Sequence, residues 1–311
     1  MTTADPAPGK TPPMDAFRED RVYLGADHGR NERRTWIVAA ICAATLVAQV
    51  GGGLAFRSMA LTASGLHMAA HVAVMLVAAL SYALSRRYAG DARFSFGTGK
   101  VGYLAGFANA VLLAGTALLI AIESIERLLN PSLVQYQGAI PLALGGLAVN
   151  VVCVLLLRPR PHPHHHHDED GDLNLSAAHL HLFADAMVSV LAIAGLAAGA
   201  GLGWNWADPA AGLVGAALVA QFAWSLIRRT GAALLDINPS PKLAAEIRAR
   251  LASDGERVLD LHLWRLGPGH HAAIAVVAAT APLAPEAYRA RLKDLKGLSH
   301  VTVEVRGADK G

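Results

Sequence analysis

The sequence predicts a mainly α-helical membrane protein in which six transmembrane helices precede a small α+β domain. Three observations carry this expectation. Of the 311 residues, 53% are hydrophobic and 16% are charged, outside the balance of ordinary soluble domains. Six windows reach the length of about 20 apolar residues that a helix needs to cross hydrocarbon, at 35–56, 58–85, 101–122, 132–157, 175–200 and 206–227. Beyond them the periodicity changes to a helix at 241–253, β-like runs Val258 to Leu266 and Ala272 to Ala279, a helix at 285–294 and a strand at 299–305.

Taken in order, residues 1–34 carry Pro, Asp, Arg and Lys without an apolar h-region or small-residue cleavage site. They read as a disordered cytoplasmic leader and not as a cleaved signal. The transmembrane domain occupies 35–230, and six spans place both its ends on one side. Arg30, Arg33 and Arg34 precede the first span; Arg86, Arg87, Arg93 and Lys100 join the second to the third; Arg158 and Arg160 follow the fourth, and Arg228 and Arg229 the sixth. The other side has Arg57 and Arg127 near its short connections. The positive-inside rule therefore predicts a multi-pass protein of the cell (inner) membrane with both termini in the cytoplasm. The cytoplasmic connection at 159–174 holds the one low-complexity tract, Pro161 to Asp172, rich in histidine and acid. The last domain, 236–307, makes an α-β-β-α-β unit whose core is marginal alone and would gain from dimerisation. Cys42 and Cys153 fall inside apolar runs and read as small buried hydrophobes. The formal charge of +3 does not form a basic stripe with aromatics, so no nucleic acid is expected.

Ionisable side chains cost several kcal/mol at membrane depth, so those present are functional candidates. His67 and His71 are four apart in the second window; His181 and Asp185 are four apart in the fifth. That spacing puts each pair on one helix face, and two such faces meeting make one pocket. Three imidazoles and a carboxylate suit tetrahedral Zn²⁺ or Co²⁺, and Ni²⁺ where water completes the shell. The sulfur-free set disfavours Cu(I), and the low oxygen count disfavours Mg²⁺ and Ca²⁺. The bland alternative is that each His bonds a backbone carbonyl, but two matched pairs with a carboxylate at depth argue against it. His179, two residues from His181, points elsewhere. The fifth window carries a tension in depth between its pair and that of the second, which a start near Leu173 would relieve.

Protons and metal compete for neutral imidazole, so a pH gradient could drive metal-for-proton exchange. No Gly-rich phosphate loop occurs, and ATP is not expected. The tract His162, His164, His165, His166, His167 with Asp168, Glu169 and Asp170 has the composition of a loose metal-capture loop, or of a flexible solvated linker. Two other readings of the intramembrane residues stay open: a membrane-embedded zinc hydrolase and a metal-sensing receptor. The first lacks a general-base glutamate beside its histidines, where Ala69 and Ala70 stand.

With these residues in view the chain resembles the cation diffusion facilitator family over nearly all of 35–305. The resemblance rests on Phe94-Ser-Phe-Gly-Thr-Gly-Lys100, Glu123-Ser-Ile-Glu-Arg-Leu-Leu-Asn-Pro131, Trp206-Ala-Asp-Pro-Ala-Ala-Gly212, Leu234-Leu-Asp236, Asp260-Leu-His-Leu-Trp264 and Gly267-Pro-Gly-His-His271. It implies a homodimer embedded in lipid, a ferredoxin-like cytoplasmic domain, no prosthetic group, and secondary, proton-coupled export of a divalent metal. It places the transport site on His67, His71, His181 and Asp185. The second position of the first pair is acidic in many zinc exporters. Here Gly65-Leu-His-Met-Ala-Ala-His71 is similar to the cobalt and nickel efflux branch called DmeF-type, which implies Co²⁺ or Ni²⁺ ahead of Zn²⁺. Lys100 and Asp236 match a pair that interlocks dimer halves in some members. In the C-terminal domain Ala275 and Glu304 replace ligands that other members use, leaving His262, His270 and His271 as weak candidates.

Overall fold

Helices α1 (His28–Ala55), α2 (Met59–Arg87), α3 (Val101–Leu129), α4 (Tyr136–Leu157), α5 (Leu173–Leu202) and α6 (Ala207–Leu234) form the first two thirds of the protein. The computed structural model describes residues 22–55, 59–130, 136–158, 172–252 and 255–308. All six helices are long and apolar enough to cross a membrane. Apart from α4 they run to 28–30 residues, or about 42–45 Å, more than the roughly 30 Å of hydrocarbon. Their outer faces expose Val47, Leu118, Leu119, Leu155 and Trp224, a surface suited to lipid and not to water.

Boundaries differ from the sequence expectation at the helix ends. Seven residues assigned to the leader, 28–34, belong to α1, because Arg and Asn are tolerated in a helix that extends past the hydrocarbon. Helix α5 begins at Leu173 and not at 175: Asp172 caps it, its Oδ1 accepting from the backbone N–H groups of Asn174 and Leu175 at 3.1 Å each. The helix stops at Gly203, whose φ of 71° is a left-handed conformation that glycine adopts freely. Residues 1–21, Arg57, Arg160 and the tract containing His162, His164, His165, His166 and His167 lie outside the described residues.

Helix α5 sits at the centre of the bundle. Leu175, Ala178 and Leu182 pack with Val38 and Cys42 of α1, Met75 and Ala78 of α2, and Cys153 and Leu157 of α4. Both cysteines are free and buried, as their apolar context predicts. On its other side Ala184 joins Leu113 and Ala117 of α3 and Val219 and Ala223 of α6. Small residues let backbones approach: a Cβ on Gly195 would lie 2.7 Å from the Cα of Asp208 in α6.

The C-terminal unit comprises α7 (Pro241–Leu251), β1 (Glu256–Gly267), β2 (His270–Ala279), α8 (Pro285–Leu292) and β3 (Leu298–Gly307), the predicted α-β-β-α-β order. Strand β2 is central, antiparallel to β1 and parallel to β3, so α8 is the crossover that a parallel pair requires. Ala273, Ala275 and Val277 alternate onto one face and pack with Ile247, Leu251, Tyr288 and Leu292 of the two helices. Ala275, where relatives were expected to carry a ligand, is a core residue. The opposite face is partly covered by the segment before α1 and the α2–α3 turn: Tyr23 packs with Trp264, Leu266 and Ala272, and Phe96 meets Trp264 edge-on at 5.5 Å.

Candidate metal centre

The helices bring the two predicted pairs together. His67 and His71 share one face of α2, their Nε2 atoms 3.3 Å apart; on α5, His181 Nε2 lies 3.3 Å from Asp185 Oδ2. Between the helices, His71 Nδ1 lies 3.5 Å from Asp185 Oδ2, and the His71 and His181 rings meet edge-on with centroids 5.2 Å apart. Ligand atoms of His67, His71 and Asp185 all fall within 4.8 Å of one another. His71, His181 and Asp185 are 1%, 2% and 4% exposed, whereas His67 is exposed.

The chemistry of this arrangement follows from its spacing. A tetrahedral ion with bonds near 2.0–2.1 Å holds its donor atoms roughly 3.3 Å apart, which is the separation found within each pair. His71 faces His67 with one nitrogen and Asp185 with the other, so enclosing an ion in a single shell requires its ring to turn toward one side. Asp185 Oδ2, His71 Nδ1 and His181 Nδ1 are buried and have no hydrogen-bond partner among the described residues. Such atoms are costly to bury unless something satisfies them, and a cation would do so.

Other histidines lie outside this cluster. His179 stacks on Phe183 with centroids 6.5 Å apart. His262 pairs with Asp260 at 2.8 Å on the exposed surface of β1, and His270 contacts Ser299 Oγ at 2.7 Å. Glu304 pairs with Arg306 at 2.7 Å. Lys100 and Asp236 form an ion pair at 2.5 Å within a single chain, where Asp236 holds a left-handed φ of 56° just past the end of α6.

Sequence reasoning missed a polar network at the end of the bundle nearest the C-terminal domain. Asp172 Oδ2 accepts from Tyr82 Oη of α2 and, at 3.0 Å, from Asn31 Nδ2 of α1. Asn174 Nδ2 donates to Ala78 O at 3.1 Å, and a bidentate pair at 3.0 Å joins Arg86 to Glu32. Asp172 was read as the tail of the histidine-rich tract. An Asp two residues before a buried Asn at a span boundary is an N-cap signal that could have separated it.

Comparison with known proteins agrees with this architecture. The cation efflux transmembrane domain profile matches residues 35–235. The metal cation efflux system protein CzcD of Cupriavidus metallidurans is 32% identical over 139 residues, 43% of this chain and 44% of that protein. Zinc transporter ZitB of Escherichia coli is 32% identical over 240 residues, 76% of this chain and 74% of that protein. A probable zinc transporter of Saccharomyces cerevisiae, MSC2, is 38% identical over 97 residues, 31% of this chain and 13% of that protein. The chain thus spans less than half the length of the first of these relatives and about three quarters of the second. It belongs to the cation efflux family, the cation diffusion facilitators, a family of membrane transporters and not of enzymes.

Proposed function

We propose that this protein exports divalent transition-metal ions from the cytoplasm across the cell (inner) membrane, exchanging them for protons at His67, His71, His181 and Asp185. The observation that carries the reading is the meeting of two i, i+4 pairs from α2 and α5 with donor spacings of 3.3–3.5 Å, three of the four residues being buried. Neutral imidazole binds the ion, and protonation of the same nitrogens releases it, so a proton gradient supplies the driving force. Export needs the site to face each side in turn, and membership of the cation efflux family supports that assignment.

Both termini and the C-terminal domain lie in the cytoplasm in this reading, on the side where basic residues gather. Two chains form a homodimer, with Lys100 and Asp236 at the place where the halves interlock. The cargo is Co²⁺ or Ni²⁺ in the first instance, from the all-histidine first pair, with Zn²⁺ also carried; relatives named as zinc transporters support the latter. The histidine-rich tract gathers metal before it enters. Purified protein in liposomes, offered Co²⁺, Ni²⁺ and Zn²⁺ with and without a pH gradient, tests the proposal. Flux that requires metal on one side and protons on the other supports it, and binding without flux sinks it.

A further inference from the structure

We infer that Tyr82, Asp172, Asn31 and Asn174 form a latch that closes the metal centre toward the end of the bundle bearing the C-terminal domain, and that parting α2 from α5 at this latch is the step that admits the ion. The inference rests on the transport reading above for its role in a cycle, but its geometry stands apart from it.

The latch is displaced along both site-bearing helices in the same direction. Tyr82 follows His71 by eleven residues on α2, and Asp172 precedes His181 by nine on α5. At 1.5 Å per residue these are separations of about 16 and 14 Å. The interval between latch and centre is dry. Val74, Met75 and Ala78 on α2 and Ala177 and Ala178 on α5 are all at most 1% exposed. His67, the candidate ligand farthest from the latch along α2, is the exposed one. An ion approaching from the C-terminal-domain side therefore meets a sealed seam in this conformation.

The seam is closed by side-chain hydrogen bonds. Tyr82 Oη and Asn31 Nδ2 both donate to Asp172 Oδ2, while Asp172 Oδ1 caps α5. Asn174 Nδ2 reaches across to Ala78 O. Such bonds exchange for water when a seam opens, so their net strength is small and the closed and open arrangements stay close in free energy. On the far side of α2 the bond of His28 Nε2 to Tyr82 O and the Arg86–Glu32 ion pair tie it to α1. The opening motion then carries α1 and α2 together away from α5.

Cysteine accessibility tests this in the full-length protein. In a background of Cys42→Ala and Cys153→Ala, a reporter Ala78→Cys sits in the dry interval, and a control Leu113→Cys sits in the α3–α5–α6 packing. A membrane-impermeant maleimide is applied to vesicles from the C-terminal-domain side. Tyr82→Phe, which removes one bond, and separately Asn31→Ala, which leaves the α5 cap in place, should each speed labelling of the reporter about fivefold, the population shift of one hydrogen bond. The control should stay protected. Unchanged reporter labelling overturns the latch, and so does a parallel rise at both positions, which means general loosening. If the reporter responds while the parent protein moves no metal, the latch stands and the transport reading fails. If the parent transports and the reporter does not respond, only the latch fails.

Discussion

Replacing Asp185 by Asn tests the centre with two readouts of opposite sign. The carboxylate Oδ2 lies 3.3 Å from His181 Nε2 and 3.5 Å from His71 Nδ1 at 4% exposure, with no hydrogen bond. Asn has the same shape, so the packing around Ala184 and Leu182 is retained, but it removes the one anionic donor. Substitutions of groups that merely orient metal ligands cost ten- to a hundredfold in affinity. Loss of a donor should cost at least the upper figure, about 2.7 kcal/mol. In the metal-free protein the same change removes a buried carboxylate whose Oδ2 makes no hydrogen bond among the described residues and only long contacts to His71 and His181, so the unfolding temperature should hold or rise. Isothermal titration with Zn²⁺ and Co²⁺, paired with thermal unfolding in chelator, reads both quantities. Metal affinity within threefold of the parent refutes the reasoning, and a large drop in metal-free stability shows that Asp185 serves the fold instead.

Four further outcomes follow from the same geometry. Metal binding should weaken as the solution is acidified, because protons and the ion compete for the same imidazole nitrogens; an affinity that stays constant down to the acid limit of the folded protein would contradict this. Co²⁺ bound to the parent should give the intense visible bands of tetrahedral coordination, and His71→Ala should lose them. Ile247→Ala, in the fully buried core between α7 and the sheet, should cost about 2–5 kcal/mol in C-terminal domain stability, followed by the fluorescence of Trp264 on unfolding. Lys100→Ala removes a partly exposed ion pair and should change unfolding of the bundle by no more than about 1 kcal/mol. Dimer content by sedimentation should fall in the same variant, as the interlock requires, and an unchanged dimer would contradict that placement.

The bundle was legible because hydrocarbon imposes length and composition on each span, and the C-terminal order because the apolar period switches between 3.6 and 2. The proximity of the two pairs was legible for a related reason: at i, i+4 spacing each pair shares one helix face, so two such faces packed together bring His67 and His71 near His181 and Asp185. Helix ends were less legible. Residues 28–34 look polar enough for a leader, yet they continue α1 beyond the hydrocarbon, where charge carries no penalty. The role of Asp172 was hidden by its neighbours, since composition assigned it to an acidic tract while its bonds to Tyr82 and Asn31 depend on residues 90 and 141 positions away. Tertiary polar contacts of that kind leave no period in the chain. The Lys100–Asp236 pair was named by the resemblance alone; its contact within one chain comes from the turn past α6, where Asp236 adopts a left-handed backbone conformation.

The most direct test of the central claim is metal-dependent proton flux in proteoliposomes bearing the parent protein, His71→Ala or Asp185→Ala. With Co²⁺ or Zn²⁺ offered on the C-terminal-domain side, the parent should move protons opposite to metal and both variants should fall to the rate of empty liposomes. Undiminished flux in both variants would contradict the account.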